Sequence, residues 1–281
     1  MHIFLDLPGR TVALLALVSL LAGLVDAIVG GGGLVQLPFL LAVLPGLGTA
    51  TPLGINKAVS ALGNISSAAV YWRRNPGTRL NRQLLAWSGT VAVLCAMAGA
   101  LLASGLPIGL FRPIVIVVLV AILWLVVRGR LARPAAAAAP SSTPGASSAG
   151  ASSAGASSPG GGVNLPLAAS SGMIGLYDGI IGPAAGSFLL LSHQRILRRS
   201  LVDSLGTAKV IQCCMNIGGA AVLISRGPTS WPLIALLGVA NIAGSAIGAR
   251  LTLRGGDVFV RAVLVLAVLA TVGKLAHDQW L

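Results

Sequence analysis

The chain has 281 residues, of which 56% are apolar and only 9% charged. A soluble domain carries about a quarter charged residues, so this sequence cannot build an ordinary soluble surface, and its long apolar blocks exclude a disordered chain. The formal charge of +13 comes from 16 Arg and 3 Lys against 6 Asp, with no Glu. The arginines fall in short breaks between apolar blocks, so they read as topology signals and not as a nucleic-acid surface.

In chain order, residues 11–44 form an apolar stretch interrupted by Gly30-Gly31-Gly32-Gly33. Gly and Pro stop helices, so this stretch predicts two helical pieces with a break between them. Arg10 alone precedes it and no small-residue cleavage site follows, so it is kept in the mature protein rather than read as a signal peptide. Full-length spans of about 20 residues are predicted at 52–72, 83–104 and 110–127. Residues 129–164 hold a run of five alanines and an Ala-Ser-Ser-Ala-Gly pattern without large side chains, which predicts a flexible linker. A second broken stretch at 165–191 is interrupted by Gly182-Pro183-Ala184-Ala185-Gly186. Further spans are predicted at 201–225, 231–251 and 259–276.

The linker separates two copies of one unit, 1–128 and 165–281. An offset of 152 pairs Gly23 with Gly175, Asp26 with Asp178, Gly30 with Gly182, Gly54 with Gly206, Lys57 with Lys209, Asn64 with Asn216 and Arg74 with Arg226. Further on, an offset of 149 pairs Gly99 with Gly248 and Arg112 with Arg261. Charge predicts how the copies are oriented. Arginine-rich connections in one copy, such as the four arginines within 73–82, match arginine-poor ones in the other. Excess Lys and Arg mark the cytoplasmic side, so the copies are expected to be inverted. Residues 165–191 would then enter and leave by the same face, and they are too few for two full spans of about 20. A re-entrant hairpin or a pair of short helices is the expected solution, with 11–44 its mirror. The expected fold is therefore all-α: a polytopic membrane protein of two inverted-topology repeats, each with a broken or re-entrant helix pair plus three transmembrane helices.

Inverted repeats with broken helices put a site near the bilayer midplane. Helix starts near Leu34 and Ser187 would offer unpaired N–H groups and a partial positive charge to an oxyanion, with Gly31, Gly32, Gly33, Gly186 and Ser187 forming the cradle. Close helix packing through small residues is the alternative reading of these glycines. Lys57 and Lys209 stand inside spans, where a charge costs about 2.5–3.5 kcal/mol on insertion scales. They either pair with an acid or attract an anion, or Lys57 snorkels outward. Asn56 lies beside Lys57, and Asn64 and Asn216 lie two turns beyond their lysines on the same face; these amides either orient a ligand or bond across helices. Asp26 and Asp178 are the acids deep in apolar blocks, expected as counter-ions to the lysines or as carriers of a coupling proton.

Cys95, Cys213 and Cys214 lie in apolar blocks without metal spacing and are expected to pack as small hydrophobes. His2, His193 and His277 lie near ends or loops and are expected at the surface. Tyr71, Trp72, Trp87, Trp231 and Trp280 flank spans as interface anchors do. Neither a metal site nor a cofactor is implied, and no constellation points to an enzyme.

Gly23-Leu-Val-Asp26-Ala-Ile-Val-Gly30-Gly-Gly-Gly33 with Pro38 and Gly54-Ile-Asn56-Lys57 resembles the first half of the sulfite exporter TauE/SafE family. Tyr177-Asp178-Gly179-Ile-Ile-Gly182-Pro183-Ala-Ala-Gly186-Ser187-Phe188 with Ala208-Lys209 resembles its second half. The chain departs from the family at Ala184-Ala185, at Cys213 and in its long linker. The resemblance implies an integral permease for sulfur-containing anions such as sulfite and sulfonates. The expectation is a multi-pass secondary transporter of the bacterial inner membrane, with a small anion as substrate, the lipid bilayer around it and protons as the candidate coupling ion. An anion channel and a non-transporting membrane scaffold are the rival readings.

Overall fold

The computed structural model describes residues 7–44, 46–74, 82–107, 109 and 164–280, with the backbone alone at 257, 261 and 264–280. The predicted span 110–127 and nearly all of the linker 129–164 lie outside the described residues. Every described element is an α-helix: α1 (Gly9–Val29), α2 (Gly32–Val43), α3 (Ala50–Arg74), α4 (Arg82–Ser104), α5 (Leu165–Ile180), α6 (Ala185–Leu197), α7 (Leu201–Ile224) and α8 (Trp231–Trp280).

The helix ends follow from local chemistry. Asn164 caps α5 by accepting the Leu167 N–H at 3.2 Å, with Pro166 in the first turn, and Ser200 caps α7 by accepting the Asp203 N–H at 3.0 Å. These side chains satisfy donors that the first turn leaves unpaired. α1 stops at Gly30, whose φ of 77° is left-handed, and Gly182 with φ 87° follows α5 in the equivalent place. Such a φ favours glycine. α2 begins at Gly32 and α6 at Ala185, each two residues before the start expected from sequence. The spans expected at 231–251 and 259–276 both fall within α8, which is two helices meeting at a kink: Gly256, with φ 65° and ψ −166°, leaves helical geometry between them.

Among the described residues, four helices are long and apolar enough to cross a membrane: Gly9–Val29, Arg82–Ser104, Leu201–Ile224 and Trp231–Gly256. α1 has 21 residues, about 31 Å at the usual rise, so it reaches across a hydrocarbon core by itself. α2, α5 and α6 have 12, 16 and 13 residues and fall short of the roughly 20 a span needs. α3 is long enough but more polar, and it is buried along most of its length. A helix buried on nearly every side is shielded from lipid by its neighbours. Large apolar side chains instead point outward from α1 (Leu14, Leu17, Leu21), α4 (Leu94, Leu101, Leu102) and α8 (Val239, Ile242), a surface suited to lipid tails.

Close contacts fix the helix directions. α3 and α7 are antiparallel: Gly54 meets Ile224, and Gly206 meets Trp72. α1 runs parallel to the first half of α8, where Ser19 donates to the Leu237 carbonyl at 2.8 Å and Ser245 to that of Gly23 at 3.1 Å. α3 is parallel to the same half of α8, with Gly238 against Leu62 and Ser66 donating to the Ile242 carbonyl. α4 runs parallel to α5, with Gly175 on Ala92 and Gly179 on Ala96, and parallel to α7, with Gly89 on Cys214 and Gly218 on Val93. Thus α1, α3 and the start of α8 run one way, and α4, α5 and α7 the other. Helices related by the sequence repeat point in opposite directions, and each repeat's first helix packs on the other repeat's later helix.

Small residues make these contacts possible. A Cβ on Gly23 or Gly244 of the α1–α8 pair, or on Gly99 or Gly175 of the α4–α5 pair, would overlap a neighbouring backbone carbonyl. Small residues let helix backbones approach closely in membranes. Gly175→Leu is therefore expected to force α5 off α4 and lower stability by about 1–3 kcal/mol, as overpacking does; unfolding of the purified protein in mixed micelles measures the loss.

Candidate functional site

The two helix breaks meet inside the protein. A Cβ on Gly30 would collide with the backbone of Gly186 and Ser187, and one on Gly186 would collide with the Gly30 carbonyl and the Gln212 side chain. The Ser187 hydroxyl donates to the Val29 carbonyl at 2.6 Å, which satisfies an acceptor left over at the end of α1. Tyr177 donates to the Pro183 carbonyl at 2.7 Å and so braces the second break. Ala184 opens α6 with φ 63°, a left-handed conformation that costs an L-residue about 1–2 kcal/mol.

Both lysines reach across to the other repeat. Lys57 Nζ on α3 lies 2.7 Å from Asp178 Oδ2 at the end of α5, and Lys209 Nζ on α7 lies 2.9 Å from Asp26 Oδ2 at the end of α1. All four side chains are at most 4% exposed. Lys57 does not snorkel: its stem lies along Gly219 of α7 and its ammonium sits beside Gly182. Each pair therefore ties the break of one repeat to the third helix of the other or to its repeat mate.

The Asp26 pair carries an additional layer. Gln212 Oε1 accepts from Lys209 at 2.8 Å while its Nε2 donates to Asp26 Oδ1 at 3.1 Å. The Gly32 N–H, in the first turn of α2, also donates to Asp26 Oδ1 at 3.1 Å. Of the amides expected to face an external oxyanion, Gly32 thus faces the protein's own carboxylate. Gly33 lies against Pro183 and close to the Asn56 amide, while Gly31 packs near Leu34 and Val25.

Asn56, Asn64 and Asn216 are all buried. Among the described residues, Asn56 Oδ1 and both amide atoms of Asn64 have no hydrogen-bond partner. Asn56 stands at the crossing of the breaks, with Nδ2 near Gly33. Sequence reasoning missed Gln212, although its position three residues after Lys209 puts it on the same helix face. It also missed Gln36, the lone polar side chain of α2, which is 1% exposed and unpartnered among the described residues. His193 is not at the surface as expected: it is fully buried on α6, because chain position near a loop does not decide which face a side chain occupies. Tyr71 also turns inward, donating to the Ala27 carbonyl at 2.7 Å, whereas Trp87 and Trp231 are exposed at span ends.

The sulfite exporter TauE/SafE profile matches residues 15–275, spanning both repeats and both breaks. The chain belongs to the sulfite exporter TauE/SafE family. A probable membrane transporter protein, YfcA of Escherichia coli K12, is 30% identical over 264 residues, covering 93% of this chain and 88% of that one. A probable membrane transporter protein of Haemophilus influenzae is 26% identical over 278 residues, 98% of each chain. Probable membrane transporter protein ORF9 of a Sinorhizobium species is 27% identical over 277 residues, 97% of this chain and 95% of that one. No solved structure gives a significant match. With its apolar helices, this TauE/SafE member is a multi-pass protein of the bacterial inner membrane and a membrane transporter of that type.

Truncating one partner of a buried ion pair leaves a charge uncompensated, whereas replacing both partners by apolar groups of similar volume is often neutral. Lys57→Ala or Asp178→Ala alone is expected to cost this TauE/SafE protein about 3 kcal/mol, and Lys57→Met with Asp178→Leu far less. A double-mutant cycle of unfolding in micelles measures the difference.

Proposed function

We propose that this chain is a secondary transporter of small oxyanions, sulfite or an organosulfonate, working by alternating access at the crossed helix breaks. The observation that carries this reading is the reciprocal pair of buried Lys–Asp contacts, each joining one repeat's break to the other repeat. Buried ionisable residues within a membrane mark ion or substrate paths by default, and inverted-repeat transporters bind substrate between broken helices, which supports reading these pairs as part of the site. The opposite directions of repeat-related helices support reading the halves as inverted-topology repeats that rock against each other.

The chemistry follows from charge balance. An ammonium buried in hydrocarbon needs a counter-ion. In the resting arrangement Asp26 and Asp178 provide it. A substrate oxyanion takes their place on Lys57 or Lys209, and the freed carboxylate accepts a proton so that no charge is left uncompensated. The amides of Asn56, Asn64 and Asn216 orient the anion, and backbone N–H groups at Gly31–Gly33 and Gly186–Ser187 add donors when the breaks separate. Proton uptake with the anion makes the proton the coupling ion.

The test is flux of sulfite, sulfate and short sulfonates into proteoliposomes, with and without a pH gradient. Saturable uptake with counterflow, accelerated by an inward proton gradient, is expected. Lys57→Ala with Lys209→Ala is expected to reduce flux to the level of empty vesicles while the protein still inserts. Undiminished flux in that variant overturns the site, and flux without saturation or counterflow assigns a channel.

A further inference from the structure

The two ion pairs occupy equivalent positions in the repeat, yet they are built differently. Asp178 receives one hydrogen bond among the described residues, from Lys57 at 2.7 Å. Asp26 receives three, from Lys209 at 2.9 Å and from Gln212 and the Gly32 N–H at 3.1 Å each. Gln212 has no counterpart in the first repeat, where the offset of 152 puts Ser60, and Ser60 makes no such bridge among the described residues. Three converging donors of different kinds, one cationic, one amide and one at a helix start, are more than neutralising one carboxylate requires. They match the edge of two oxygens on one central atom that a carboxylate shares with sulfite or a sulfonate. One residue along the break, Gly33 lies against Asn56, which is 5% exposed and turns its Nδ2 donor toward it.

We propose that Lys209, Gln212 and the Gly32 N–H form the oxyanion cradle of this transporter, that the Asp26 carboxylate occupies it as an internal stand-in for the substrate, and that Lys57–Asp178 is a tether that binds no substrate. This rests on the reading of the chain as an oxyanion transporter and narrows the two equivalent lysine sites of that reading to one. Gln212 is the specificity residue. Its oxygen is held by Lys209 at 2.8 Å, so its nitrogen is fixed to point at the bound anion, and a proton on the anion would leave that donor poorly matched. The cradle therefore takes the ionised form of a small pyramidal or tetrahedral oxyanion.

Substrate and Asp26 compete for the same donors, and this makes the proposal testable by the split between KM and kcat for sulfite and methanesulfonate uptake into proteoliposomes. In the Asp26→Asn background, where no carboxylate competes for the donors, Gln212→Ala is expected to raise KM about tenfold or more, the loss of one hydrogen bond to a charged group, with a smaller change in kcat. Gln212→Glu places a second carboxylate against the anion and is expected to abolish uptake. Asp26→Asn removes the competing charge and is expected to lower KM about tenfold, since the cradle is then open to substrate a larger fraction of the time. Asp178→Asn is expected to slow turnover and leave KM unchanged. Equal KM shifts in Asp26→Asn and Asp178→Asn, or an unchanged KM on adding Gln212→Ala to Asp26→Asn, overturn the cradle while leaving oxyanion transport intact. Absence of uptake by the unaltered protein overturns the transport reading and the cradle together. Should Asp26→Asn fail to fold, Gln212→Glu decides the matter alone, and undiminished uptake in that variant overturns the cradle.

Discussion

Charge deep among apolar helices has to be neutralised within the protein, and for the buried lysines 57 and 209 that requirement is met across the repeats. Lys57 of the first half closes on Asp178 of the second, and Lys209 of the second on Asp26 of the first. Neither half can neutralise its own charges in this arrangement. The same crossing organises the packing: α1 lies on α8 and α5 on α4, so that the halves are interleaved and not merely apposed. Truncating one member of such a pair is costly because the remaining charge has neither water nor partner.

The breaks are shaped by that demand. An aspartate in the last turn of α1 can meet a lysine on α7 only if the chain turns away immediately afterwards, and Gly30 does so with a left-handed φ. Gly182 does the same after α5. The two turns then touch, because Gly186 leaves room for the Gly30 backbone and Ser187 closes on the Val29 carbonyl. Glycine serves conformation at Gly30 and Gly182 and close approach at Gly186. The elements that hold the ion pairs are thus also the elements that must separate if the halves move relative to each other.

The sequence made some of this legible and concealed the rest for identifiable reasons. The helices and the breaks followed from apolar block length and from glycine tracts. The partner of each lysine did not. Lys57 lies 31 positions from Asp26 and 121 from Asp178, and local spacing carries no sign that the distant acid wins. Gln212 escaped notice because one amide on a buried helix looks the same whether it bridges an ion pair or crosses to a neighbour; its meaning comes from the residues it meets. His193 and Tyr71 were misjudged through position along the chain, whereas helix face decides burial. The two apolar blocks of α8 are divided at Gly256, whose non-helical backbone makes the kink between them.

The electrical consequence of exchanging counter-ions links these features to transport. A site that moved a bare oxyanion across the membrane potential would work against about 2.3 kcal/mol per charge per 100 mV. In the proposed exchange, the anion enters as the displaced aspartate becomes neutral, so the net charge among Lys209, Asp26 and substrate is the same before and after binding. The moving parts then carry no additional charge across the field. Asp26 can play this part because it already lies among the donors the anion needs, with Lys209, Gln212 and the Gly32 N–H converging on it. Asp178, with Lys57 as its one donor among the described residues, keeps the second break attached to α3 while the first is occupied. The two halves can differ in this way at little structural cost, because a change from a Ser60-like to a Gln212-like side chain exchanges a hydroxyl for a longer amide on an interior face without disturbing the ion pair that both halves need.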